Sequence, residues 1–452
     1  MARGWCQPVL PRFGLIHAVF QGESMKSNRN IRLAVALMAP LLAAGAVVAH
    51  AGVASANTRW PSGSTLYVSP QGNPNNNGHS CRSAGFRTIQ SAVSAVPTGG
   101  TVVVCAGTYH EQVVLDKPLS LVGQRATIDE KGVTPTFKVA LPGLGTQTIY
   151  AAVVVTSAHV TLSGFTVTNA EGEGVLAAGL GGPVAGIVIS HNSVVHNDLG
   201  GGVPPKSPYF QCAAEGTAPG DCGEGVHFAG NVAYSTINGN FIADNSGGVL
   251  LSDDIGPTHD NVVENNVVTG NTTDCGITVP GHNPNALSPK GVPQPAVAGV
   301  YRNVIRDNVV TDNGVEGEGA GVLFANAAPG TASYDNLVQG NYIAGNGLSG
   351  VTMHAHIISK GQFEDLNGNV IVGNAIGKNN LDGDTLDSPA SPEDLKTTGV
   401  LVFSGGTPVT VTIERNIIFD NSIGIWLSKP VKALGLGTNT FFNVTKPVSA
   451  NH

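Results

Sequence analysis

The chain has 452 residues, of which 41% are hydrophobic and only 12% charged, with 60 glycines and a formal net charge of −8. That balance excludes a disordered chain and a helical bundle and fits an elongated, turn-dense β body. The acidic excess argues against nucleic acid and anionic lipid as partners, since both repel it.

The N-terminus reads as a targeting segment. Met25-Lys-Ser-Asn-Arg-Asn-Ile-Arg supplies a basic start, Leu33 to Val48 a short apolar run, and Ala54-Ser-Ala56 a small-residue cleavage motif. Residues 1–56 are therefore expected to be an extension plus secretory signal, and 57–452 the mature domain. Cleavage removes five basic residues and one acid, leaving 18 against 30 and a net of −12. In a secreted chain the remaining cysteines can pair. Cys81 with Cys105 and Cys212 with Cys222 are the expected disulfides, and Cys275 is left over.

Leu66-Tyr-Val-Ser69 reads as a first strand. Residues 86–96 place apolar side chains at 89, 92, 93 and 96, the helical period, and stop at Pro97-Thr-Gly-Gly100. Thr101–Cys105, Val113–Leu115 and Leu119–Val122 follow as strands. This opening block, with Cys81-Arg-Ser-Ala-Gly-Phe-Arg-Thr-Ile-Gln90 and Gly99-Gly-Thr-Val-Val-Val-Cys-Ala-Gly-Thr-Tyr109, resembles the start of secreted right-handed parallel β-helix proteins of the pectin-lyase-like superfamily. The resemblance implies an all-β, single-stranded right-handed parallel β-helix over about 64–448, with the short helix covering its N-terminal end. It is weak for the reaction, since that fold carries lyases, hydrolases, epimerases and non-enzymes.

From residue 164 onward a six-residue pattern, Asn-x-Val/Ile-x-x-Asn, recurs at Asn192–Asn197, Asn240–Asn245, Asn266–Asn271, Asn308–Asn313, Asn341–Asn346, Asn374–Asn379 and Asn416–Asn421. Successive copies start 48, 26, 42, 33, 33 and 42 residues apart, so constant strands are separated by insertions of variable length, as in a solenoid with loops on one side. The turn asparagines are expected to stack and to satisfy turn backbone, with no role in chemistry.

A third strand in each rung begins with glycine: Gly225-Val-His-Phe, Gly248-Val-Leu-Leu, Gly276-Ile-Thr-Val, Gly321-Val-Leu-Phe, Gly350-Val-Thr-Met, Gly399-Val-Leu-Val and Gly424-Ile-Trp-Leu. The first and third residues after the glycine are apolar and should face the core, so the second and fourth should face out. This predicts a solvent-facing patch of Asp253, Asp254, His282, Asn326, His354 and His356, with His227 on the same face. In the superfamily this strand and its flanking loops commonly form the substrate groove. Asp253-Asp254 resembles the paired carboxylates of polygalacturonase-like hydrolases, although Gly281 stands where the third carboxylate is expected. The alternative for the pair is a turn cap.

Glu171-Gly-Glu173-Gly, Glu224-Gly and Glu316-Gly-Glu318-Gly precede their strands, and Glu318 is the expected opposing acid or base. His354 would move protons. His227, His282, Asn326 and His356 would bind substrate, and Phe403 and Trp426 would stack on sugar rings. Asp382, Asp384 and Asp387 alternate in an insertion and make a candidate calcium loop, calcium being the one cofactor suggested. The reading is an extracellular enzyme that cleaves glycosidic bonds of a polysaccharide by hydrolysis with paired carboxylates. One alternative is a polysaccharide lyase or epimerase, and another a non-catalytic carbohydrate-binding or metal-handling β-helix. The expected partner is polysaccharide, with no nucleic acid and, after signal cleavage, no membrane; the chain is expected as a monomer.

Overall fold

The computed structural model describes residues 64–76, 78–141, 145–198, 224–316, 319–326, 328–355, 361–382 and 396–450. These form a right-handed parallel β-helix. Its defining feature is a set of asparagine ladders. Asn192 donates its backbone N–H and its side-chain amide to Asn240 Oδ1 at 3.0 and 3.1 Å. Asn240 repeats this on Asn266, Asn266 on Asn308, Asn308 on Asn341, Asn341 on Asn374 and Asn374 on Asn416. The column forms as the repeat predicts. A second runs from Asn197 through Asn245 and Asn271 to Asn313, Asn346 and Asn379. A third, not anticipated, joins Asn261, Asn303, Asn336 and Asn369. Each tight turn leaves backbone donors and acceptors inside the solenoid, and a buried primary amide satisfies them from one rung to the next.

Between the ladders the strands pair in parallel with no slippage over most of their length. The 11-stranded sheet built on the leading-glycine strands runs from Val113–Leu115 at one end to Lys446–Ala450 at the other. The register pairs Val175 with Val226, Val226 with Val249, Val249 with Ile277, Ile277 with Val322, Val322 with Val351 and Val351 with Val400. All of these fill the common core.

The leading glycine is required by close approach. A Cβ on Gly174, Gly225, Gly276 or Gly321 would stand 2.4–2.5 Å from Val194, Ile242, Val310 or Ile343. With the glycine turned inward, the residue before it and the second residue after it both point away from the core. Those second residues were expected in solvent. Instead His227, Leu250, Thr278, Leu323, Thr352, Leu401 and Trp426 are all buried. The outer face of this sheet is covered and carries small apolar clusters of its own, such as Cys275–Ala320–Leu323–Ala325–Leu348.

At the N-terminal end the helix spans Ile89–Ala95, shorter than the predicted 86–96, because Phe86 stays extended and bridges to Val68. Thr88 caps it, and the Glu111 carboxylate accepts from the Ile89 and Gln90 N–H groups at 2.7 and 2.9 Å. Ile89, Ala92 and Val93 close the core. Cys81 and Cys105 are disulfide-bonded, as expected. Cys212 and Cys222 lie outside the described residues. Cys275 is buried, and its Sγ accepts from the Ala320 N–H at 3.3 Å. Among the described residues no helix is long and apolar enough to cross a membrane.

Glu130 is buried, neither of its carboxyl oxygens has a partner, and burial pushes its pKa up to about 8, with Glu171 adding repulsion. Raising a folded-state pKa above the unfolded one favours the protonated form, so this contribution to stability is full below the unfolded value near 4.5 and is lost as pH rises through about 8. Between those limits the wild type should lose up to about 1.4 kcal/mol per pH unit relative to Glu130→Gln. Urea midpoints for both proteins from pH 5 to pH 8.5, roughly the window of the shift, check this. Parallel pH curves would rule it out.

Candidate functional site

Asp253 and Asp254 leave the end of the strand Gly247–Leu251. They do not form the open carboxylate pair expected. Asp253 is fully buried, and both of its oxygens are occupied by backbone donors: Oδ1 accepts from His282 N at 2.6 Å and Asn283 N at 3.1 Å, and Oδ2 from Gly299 N at 2.7 Å. One carboxylate thus pins both ends of the 282–299 insertion. Burial raises its pKa to about 6, opposed by these N–H bonds. This is the turn-cap alternative, extended to hold a loop from the next rung.

Asp254 points the other way, with its side chain 3% exposed. Its Oδ1 accepts from His282 Nδ1 at 2.8 Å and its Oδ2 from the Ser252 hydroxyl at 2.8 Å. Ser252 Oγ lies 2.9 Å from His227 Nε2, and His227 Nδ1 lies 3.0 Å from Glu173 Oε1. The chain of contacts therefore runs Glu173–His227–Ser252–Asp254–His282 across the strands Glu173–Ala177, Glu224–Phe228, Gly247–Leu251 and Ile277–Gly281. Its direction follows from its carboxylate end. An ionised Asp254 only accepts, so Ser252 gives it the hydroxyl proton. Ser252 Oγ then accepts, and His227 carries its proton on Nε2. Burial lowers the His227 pKa, keeping the ring neutral. His282, 17% exposed, is the end of the chain nearest solvent.

Behind His227, Glu173 and Glu224 occupy equivalent places on adjacent rungs, each directly before its leading glycine. Both are buried, and desolvation holds both carboxyls well above the usual range; Asp198 and Asp254 push on Glu173, and Asp274 on Glu224. If one is protonated they hydrogen-bond to each other. As carboxylates, Glu173 Oε2 and Glu224 Oε2 have no donor.

A cleft of about 630 Å³ opens between the segments 284–294, 329–330 and 361–363, which follow the third strands of three successive rungs; its lining begins at Pro284, two residues after His282 in the chain. Among the described residues its lining holds no charged side chain; Asn285, Ser288, Gln294 and Gln362 offer hydrogen bonds, and Phe363 is exposed.

Several expected site residues sit elsewhere than predicted. His227 and His354 are buried rather than solvent-facing, and His354 pairs in register with Phe403, away from the Asp254 network. Asn326 is fully buried. Trp426 packs with Leu401, Ile423 and Phe403 and has no open ring face, so stacking on a sugar is not available to it. Glu318, His356, Asp384 and Asp387 lie outside the described residues, which leaves Asp382 alone of the calcium loop. Ser252, Glu173 and Glu224 join the site although the sequence assigns them no role in it and places the two glutamates only before their strands. A signal for the last two was present: they alone among the rungs put a carboxylate immediately before the leading glycine, whereas Glu318 stands three residues before Gly321.

Residues 70–312 and 330–446 match a family described as protein of unknown function (DUF1565). No curated protein matches the chain. Among solved structures it is similar to an alginate lyase from Paenibacillus sp. str. FPU-7, with 11% identity over 80% of this chain and 96% of that one and a TM-score of 0.45. It is also similar to the A-module of a mannuronan C-5 epimerase from Azotobacter vinelandii, with 17% identity over 80% and 92% and a TM-score of 0.47. The catalytic unit of an α-1,3-glucanase from Streptomyces thermodiastaticus matches with 14% identity over 86% and 69% and a TM-score of 0.40.

Proposed function

We propose that this chain, which belongs to the DUF1565 family of proteins of unknown function, is a secreted carbohydrate-active enzyme that cleaves glycosidic bonds of an uncharged polysaccharide, using His282 and Asp254 for proton transfer. The observation that carries the reading is the part-buried His282–Asp254 pair, two residues along the chain from Pro284, where the lining of a cleft begins. Asp254 Oδ1 accepts from Nδ1 and fixes the tautomer, so Nε2 is the nitrogen that exchanges a proton, and the buried carboxylate stabilises the imidazolium that results. Ser252 holds the other oxygen of Asp254, and Asp253 holds the loop that carries His282. Amide and hydroxyl side chains with one exposed aromatic ring suit a sugar, whose hydroxyls bond outward while its C–H face packs on a ring. Glu318 and His356 are the proposed opposing groups, since hydrolysis needs a second acid or base.

Elimination or epimerisation of a uronate is the second reading. It is favoured by the full use of the Asp253 oxygens, which leaves a histidine–carboxylate pair where two carboxylates were expected. Against it, the described residues that line the cleft include no cationic side chain for a uronate carboxyl. The two are separated by incubating the mature protein with neutral and uronic polysaccharides and following reducing ends together with ultraviolet absorbance. Reducing ends without an unsaturated chromophore, from a neutral glycan and abolished in His282→Ala, are expected. A chromophore from a uronic glycan would establish elimination, an altered proton NMR spectrum of an uncleaved uronic glycan would establish epimerisation, and none of these products from any glycan would remove both readings.

A further inference from the structure

The proton-transfer pair leaves unused the two glutamates and the second nitrogen of His227. We propose that Glu173, Glu224 and His227 Nδ1 bind one divalent transition-metal ion of the Zn²⁺ or Mn²⁺ class. The inference stands apart from the reaction proposed above and needs none of its steps.

Three acceptor atoms converge on one place. The potential ligand atoms of Glu173, Glu224 and His227 all lie within 4.8 Å of one another. The tautomer set by Ser252 and Asp254 turns the lone pair of His227 Nδ1 toward the glutamates, 3.0 Å from Glu173 Oε1. Adjacent ligands on a tetrahedral ion bound at about 2.0–2.1 Å stand roughly 3.3 Å apart, so this spacing is close to that of two ligands on one ion. Glu173 Oε2 and Glu224 Oε2 are buried with no donor, although these side chains are only 2% and 5% exposed. Buried carboxylates without partners are costly, and a cation is the group that satisfies two of them and an imidazole lone pair at once.

The ligand chemistry selects the ion. Two carboxylates and one neutral imidazole match the charge of a divalent ion. The nitrogen ligand and the small oxygen count disfavour calcium, which takes six to eight oxygens. With no thiolate in the set, Cu(I) is disfavoured as well. The outer shell is also in place: His227 Nε2–H donates to Ser252, which is anchored on Asp254, as imidazole ligands are commonly held through their second nitrogen.

The test uses the mature protein, stripped with a chelator and dialysed against Zn²⁺ or Mn²⁺ with the bound metal measured directly. One ion per chain is expected, with a rise in melting temperature on loading. Glu173→Gln and Glu224→Gln, which keep side-chain shape, should each weaken binding at least about 100-fold, and Ser252→Ala about 10–100-fold, the usual cost of an outer-shell change. The Mn²⁺ electron-paramagnetic-resonance spectrum of the loaded wild type should be lost in Glu173→Gln. Wild-type protein that binds neither metal stoichiometrically would overturn the proposal without reference to any variant, leaving a shared proton as the occupant. Binding unchanged in the folded Glu173→Gln and Glu224→Gln proteins would overturn it equally.

Discussion

Asp254→Asn is expected to leave the β-helix folded and to lower turnover on the cleaved glycan by about 10²-fold or more, the usual order for disabling an acid–base group. The amide can still accept from one neighbour, but its NH₂ must then face either the Ser252 hydroxyl or the His282 Nδ1–H, both of which donate to the native carboxylate. The His282 ring loses its tautomer control and the negative charge that supports an imidazolium. Asp253→Asn makes the contrast. There an NH₂ must face at least one of the N–H groups of His282, Asn283 and Gly299, so the 282–299 insertion should loosen. That variant should lose roughly 1–3 kcal/mol for a misplaced buried donor, with activity falling through the altered cleft wall. Initial rates and urea midpoints on both variants separate the roles. An Asp254→Asn enzyme with wild-type turnover would end the proton-transfer reading, whatever Asp253→Asn does.

Asn308 stands mid-column, and Asn308→Ala should be among the most destabilising single changes in the molecule. Its Oδ1 takes both the backbone N–H and the side-chain amide of Asn266, at 2.9 and 3.0 Å, and its own amide serves Val263 O and Asn341 Oδ1 at 2.9 and 3.0 Å. Truncation strips partners from three buried groups on the preceding rung, the Asn266 N–H, the Asn266 amide and Val263 O, and removes one of the two donors to Asn341 Oδ1 on the next. At about 1–3 kcal/mol for each of the three, the loss comes to roughly 3–9 kcal/mol. N308D keeps the shape and the acceptor, yet turns a second acceptor toward Val263 O, so it should be tolerated only when protonated. Its melting temperature should therefore rise as pH falls, while that of N308A should not follow. Thermal and denaturant unfolding measure both. A cost below about 1 kcal/mol for N308A would mean that the ladder does not hold the turns, since even one orphaned buried group costs that much.

The sequence by itself determined the architecture, the asparagine column and the Cys81–Cys105 disulfide. These depend on patterns local to one rung. A tight turn needs an asparagine to satisfy its backbone, and a strand that meets a branched side chain from a later strand, as Gly225 meets Ile242, needs a glycine. Repetition made both visible. Only the tertiary structure decided which outward side chains meet solvent and which partners they take. Alternation showed that His227, His354 and Trp426 leave the core, but whether that face is wet depends on what folds over it, and all three are buried. Asp253 and Asp254 are neighbours in the chain with opposite fates, because one meets the ends of an insertion from the next rung and the other meets Ser252 and His282. Glu173 and Glu224 are 51 residues apart and meet because parallel register returns the chain to the same place on each turn. That long insertion hid the pairing from any reading by separation along the chain, while desolvation, which exists only in the folded protein, makes those carboxylates chemically unlike the others.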